Sequence, residues 1–163
     1  MAEPAERYLA TVTPGLEEVL AAELAAKLPR LRVQASQRGR LLMAGYLAPE
    51  ETTLIRTADN LYRYLGRIPV GRHKADLSEL ARSVAALDCL PVTTSHLYRH
   101  GATAWVNCSR TGKHTYSRFD AAAAALVGIC KACRLTAGTA DTHDLEFRLD
   151  IQDTVAHFSL RLT

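Results

Sequence analysis

Arg110, Lys113 and Arg118 lie within Trp105–Asp120, where an apolar run passes through Ser109-Arg-Thr-Gly-Lys-His-Thr-Tyr-Ser117 into an alanine-rich segment. Anion binding is the chemistry these residues support. Guanidinium and ammonium groups bring charge and N–H donors, His114 and Tyr116 bring rings that stack or hydrogen-bond, and Gly112 permits a tight turn. Thr111 and Ser117 add hydroxyls to the same stretch. If a strand feeds the loop and a helix leaves it, unpaired N–H groups near Ser117 to Asp120 face the same anion. Between Asp88 and Asp120 there is no acidic residue, whereas Arg99, Arg110, Lys113 and Arg118 all occur. The plain alternative is a solvated loop with ordinary surface cations. Acid depletion and interleaved rings favour a polyanionic ligand, with RNA the first choice.

Rival chemistries fail on specific residues. A nucleotide-binding P-loop needs a glycine five residues before Gly112 and Ser or Thr directly after the lysine, but Asn107 and His114 stand there. Cys130-Lys-Ala-Cys133 and His96-x-x-x-His100 have ligand-like spacings, yet the order of the pairs is wrong for a Cys2His2 zinc site. Cys130 and Cys133 also continue the helical apolar series Ala122, Ala125, Leu126, Ile129, so no metal is expected. Cys108 near His114 invites a nucleophile–base reading, but Cys108 shares a strand face with Ala104 and Val106, as a core thiol would. Asp141, His143 and Asp144 read as a polar turn. Hydrolase and dinucleotide signatures are absent, so no catalytic residue and no cofactor is assigned to this chain.

The elements that position the loop follow from periodicity. Tyr8–Thr13 reads as a strand, and Leu16, Val19, Leu20, Leu24 and Leu28 as one helix face, with Thr13 as cap and Pro14 at the first position. Leu31–Ala35 and Arg40–Tyr46 form an expected hairpin, Pro49–Asn60 a helix and Leu61–Val70 a strand. That β-α-β-β-α-β order is a ferredoxin-like unit. Gly71-Arg-His-Lys74 reads as a linker, and Arg72 and Lys74 are candidate RNA contacts, with Arg63 and Arg67 extending a cationic track if they share a face. A second α/β unit then comprises a helix over Asp76–Leu87, a strand over Ala102–Ser109, a helix from Arg118 to about Arg134 under a Ser117-x-x-Asp120 capping box, and strands Leu145–Ile151 and Val155–Leu162 around a Gln152-Asp153 turn.

With 163 residues, 48% of them hydrophobic, the chain can bury a core or two small ones, and its net charge of +3 is too modest to name a partner. Met1–Glu6 is acidic and lacks the apolar run of a secretory signal, and the apolar block Ala121–Cys130 is too short for a bilayer. A soluble cytoplasmic protein is expected. Without an export signal, Cys89, Cys108, Cys130 and Cys133 are expected as free thiols.

Ser109-Arg-Thr-Gly-Lys-His-Thr-Tyr-Ser117, the helix after it, Asp144-Leu-Glu-Phe-Arg148 and Phe158-Ser-Leu-Arg-Leu-Thr163 resemble a THUMP domain. Thr11-Val-Thr-Pro-Gly-Leu-Glu-Glu18, Gly39-Arg40 and Arg56-Thr-Ala-Asp-Asn60 are similar to the ferredoxin-like domain that precedes THUMP in RNA guanine-N2 methyltransferases. The resemblance implies an α/β (α+β) chain: a ferredoxin-like domain over 1–70 and a THUMP domain over 71–163. It implies docking of structured RNA, usually tRNA through its acceptor end, for a Rossmann-like, S-adenosylmethionine-dependent domain expected after Thr163. Related rRNA methyltransferases carry the same module, and a protein-docking role for the loop is the remaining alternative. Carried over residue by residue, RNA contact falls on Arg110, Lys113, His114 and Tyr116, with Arg118 just outside the most specific stretch.

Overall fold

The computed structural model describes residues 6–163, so most of the segment read as lacking a secretory signal lies outside the described residues. The described chain is mixed α/β and divides into two compact units, one ending at Tyr64 and reclaiming Arg161–Thr163, the other running from Leu65 to Leu160. The division falls inside a strand, so the linker expected at Gly71 instead belongs to the second unit. Leu162 donates its N–H to Leu61 O at 2.8 Å and Thr163 Oγ1 accepts from Leu61 N at 3.0 Å, which ties the C-terminal residues to the first unit.

The first unit runs β1 (Glu6–Thr11), α1 (Glu17–Lys27), β2 (Leu31–Gln37), β3 (Arg40–Gly45) and β4 (Asn60–Pro69), whose first half it contains. Its strands lie in the order β2-β3-β1-β4, all antiparallel, the ferredoxin-like arrangement read from the sequence. Leu20 and Leu24, one turn apart on α1, bury against Ala10, Leu41 and Met43 of the sheet. Two local expectations change. Thr13–Gly15 is a turn, so α1 starts at Glu17, whose carboxylate accepts from Gly15 N and Gly39 N. The helix expected over Pro49–Asn60 shrinks to a 3-10 stretch, Pro49–Leu54. There the β-branched Thr52 and Thr53 turn their hydroxyls back to Pro49 O and Glu50 O, an alternative to helix propagation.

The second unit contains the rest of β4, α2 (Leu77–Ala85), α3 (Leu90–Thr93), β5 (Thr103–Thr111), α4 (Arg118–Cys133), β6 (Thr136–Ala137), β7 (Leu145–Gln152) and β8 (Val155–Arg161). Its strand order is β4-β8-β7-β5-β6, with β5 parallel to β7 and β6, and β7 antiparallel to β8. The β7–β8 turn falls on Asp153-Thr154, one residue later than read. Registers Val106↔Phe147 and Leu149↔Phe158 bring alternate apolar residues to one face, where α2 and α4 cover them. α3 and β6 are too short to leave a periodic signal and were not read from the sequence. No helix among the described residues is long and apolar enough to cross a membrane.

The free-thiol expectation fails for two cysteines. Cys89, before α3, and Cys133, at the end of α4, form a disulfide with Cα atoms 5.6 Å apart, a separation that spacing in sequence does not disclose. Cys108 and Cys130 remain thiols. Alkylation of the denatured, unreduced chain is therefore expected to label two cysteines, and reduction beforehand to raise the count to four by mass. Four labels without reductant would disprove the bridge.

Candidate nucleic-acid interface

β5 ends at Thr111 and α4 begins at Arg118, so the cationic loop is the β5–α4 connection. Gly112 adopts φ +109°, where a Cβ would meet Asp153 Oδ1 at 2.5 Å and His114 Cε1 at 3.1 Å, so only glycine lets the loop close on the β7–β8 turn. His114 completes the closure. Arg110 Nη1 lies 2.7 Å from its Nδ1, and since guanidinium only donates, Nδ1 accepts and the Nε2–H donates to Asp153 O at 2.7 Å. Arg110 Nη1 also donates to Gly112 O at 3.0 Å.

These bonds give the site residues read from the sequence a place within the protein. Both ring nitrogens of His114 are used within the protein, and half-buried Arg110 is folded onto its own loop, so both shape the loop before they can touch a ligand. Tyr116 is only 3% exposed and donates its hydroxyl to Gly71 O at 2.7 Å. A buried ring offers no face to a base, so Tyr116 is an anchor. Burial pushes its phenol pKa upward, which keeps the O–H a donor.

The segment read as a linker is the other half of the site. Thr115 N donates to Arg72 O at 2.8 Å, Lys74 N donates to Thr115 Oγ1 at 2.7 Å, and Arg72 Nη1 reaches Lys113 O at 3.4 Å. Residues 41 apart in sequence are thus clasped together, and the side chains of Arg72, Lys74, Lys113 and Arg118 are all exposed. Asp153, which was not singled out in the sequence, stands 3.6 Å from Arg72. Its place in a turn gave no sign of this role. Arg63 lies in the first unit, where it pairs with Glu6 at 3.1 Å.

The capping box forms as read: Asp120 N donates to Ser117 Oγ and Ser117 N donates to Asp120 Oδ2. Its consequence differs from the expectation. Two first-turn amides are already paired, and a carboxylate held below its usual pKa by the Ser117 N–H and then the Ser117 hydroxyl faces the helix dipole. The exposed cations are the groups here with charge to offer an anion. Thr111 is exposed, with Oγ1 turned toward Ile151 O at 3.4 Å. Burial, followed by the Asp150 charge, pushes the Cys108 thiol up to about 12, so no thiolate nucleophile forms near neutral pH. Among the described residues no three His, Cys, Asp or Glu side chains gather as metal ligands.

Neither a protein-family model nor a curated protein matches this sequence. Solved structures do. TrmN from Thermus thermophilus matches with a TM-score of 0.74 at 24% identity, over 97% of this chain and 46% of that one. A predicted N6-adenine-specific DNA methylase from Listeria monocytogenes matches with a TM-score of 0.72 at 17% identity, over 96% of this chain and 40% of that one. A 4-thiouridine synthetase solved as an RNA complex with bound ATP matches with a TM-score of 0.58 at 12% identity, over 96% of this chain and 41% of that one. At these identities the likeness is one of fold. The class defined is therefore a mixed α/β fold shared with segments of larger proteins, and this chain spans less than half the length of each of these three.

Proposed function

We propose that this chain is the RNA-docking part of an RNA methyltransferase, a THUMP domain preceded by a ferredoxin-like domain. It grips folded RNA, tRNA in the first instance, and presents it to an S-adenosylmethionine-dependent domain of the parent protein. The observation that carries this reading is the clasp, in which Arg72, Lys74 and Lys113 come from distant sequence positions to one exposed group around a closed loop. The fold likeness to a methylase and to a synthetase solved with RNA supports it. Phosphate contact sets affinity and orientation, and shape recognition suits a folded RNA end better than a linear motif.

Lys74 and Lys113 make the cleaner test, because Arg110→Ala would also open the loop. A Lys74→Ala, Lys113→Ala variant is expected to bind tRNA more weakly than the parent. The magnitude of its log-affinity slope against log salt is expected to fall by about 0.7 to 0.9 for each phosphate that is no longer neutralised. Parent-like affinity and slope would sink the proposal. Running tRNA beside rRNA fragments of equal length assigns the RNA class.

A further inference from the structure

Beside the loop, along β5, lies a cleft of about 320 Å³ lined by Trp105, Asn107, Cys108, Arg118, Phe119 and Leu126, among others. Two of its walls are aromatic. Phe119 is 70% exposed, unusual for a phenylalanine, and the Arg118 guanidinium lies over its ring at 4.8 Å. The floor is the open edge of β5. On that edge Ala102 O and Ala104 O accept from Thr136 N and Gly138 N, but β6 ends at Ala137. By the two-residue period of a strand, the backbone groups of Val106 and Cys108 face the same edge, with no strand beside them among the described residues. Among the described residues no carboxylate lines the cleft.

Arg118 belongs both to this cleft and to the cationic run, so the occupant these features fit is aromatic at one end and anionic at the other. We infer that the cleft holds one unstacked nucleobase of a single-stranded RNA segment, sandwiched against Phe119 and Trp105 while its backbone runs onto the loop cations. This rests on the RNA-docking reading above and adds a second kind of contact to it. Bases of any identity have a stacking face, so the aromatic walls can hold any of them. A second copy of the chain is a poorer fit, because it would bring the Arg118 groups and the loop cations of both copies together.

Trp105 is the only tryptophan in the sequence, so its emission reports on the cleft alone. The 163-residue chain is titrated with a short single-stranded RNA, with the same backbone lacking its bases, and with an acidic peptide of equal charge. The base-bearing RNA is expected to quench Trp105 and to bind roughly 5- to 150-fold more tightly than the abasic one. Phe119→Ala, at an exposed position that should leave the fold intact by circular dichroism, is expected to remove most of that difference. Equal binding of the two RNAs with unchanged emission overturns the assignment, as does quenching by the peptide alone. If folded tRNA still binds with its dependence on Lys74 and Lys113, only the cleft assignment falls; loss of that binding takes the docking reading with it.

Discussion

Tyr116→Ala is expected to destabilise the second unit by about 3–5 kcal/mol and to weaken RNA binding, although Tyr116 touches no RNA in this scheme. The ring packs in the core with Val70, Val106 and Ala121, and its hydroxyl holds the Gly71 carbonyl. Removing it leaves a cavity and frees both sides of the clasp at once. Tyr116→Phe separates the two effects: the ring stays, the bond to Gly71 goes, and the loss should be about 1 kcal/mol. Thermal unfolding and tRNA affinity measured on both variants decide the matter. An alanine variant with parental stability would refute the anchoring role, and one that is destabilised yet binds tRNA fully would detach the anchor from docking.

Gly128→Leu is expected to cost at least ~3 kcal/mol and to abolish cooperative unfolding of the second unit, because α4 packs at this residue directly on the backbone of α2. A Cβ at Gly128 would lie 2.4 Å from Ala81 O and 2.9 Å from Val84 Cβ. The first of these is backbone, so α2 must shift bodily, and with it Leu80 and Val84 leave the core. Gly128→Ala already adds the clashing atom and should cost about 1–3 kcal/mol. Urea denaturation reads both losses, and a leucine variant that unfolds at the parental midpoint would contradict the observed packing.

Much of the fold was legible because its signals are local and periodic. The strands β5, β7 and β8 carry alternating apolar residues, β1 and β3 carry short continuous apolar runs, and the Ser117–Asp120 box marks the start of α4 to the residue. The failures were also local in origin. Thr13-Pro14 has the chemistry of a helix start, but the chain makes a turn there and α1 begins at Glu17. Pro49 to Asn60 has helical spacing, but Thr52 and Thr53 bond back to the turn before them. In such cases two local structures compete for the same residues, and side-chain hydrogen bonds decide.

Of the candidate site, the sequence by itself determined the inventory: a cationic loop between β5 and α4, depleted of acid, with Gly112 at its turn and a capped helix after it. Residue type and neighbour order are enough for that. Only the tertiary structure decided which of these groups remain available to a ligand. It spends His114 and most of Arg110 on closing the loop against Asp153, sinks Tyr116 into the core, and brings Arg72 to Lys113 and Lys74 to Thr115, each across 41 positions. It also joins Cys89 to Cys133 and leaves the β5 edge open beside Phe119. Each of these depends on where distant backbone segments meet in space, and a donor already paired within the protein has less left to offer a phosphate.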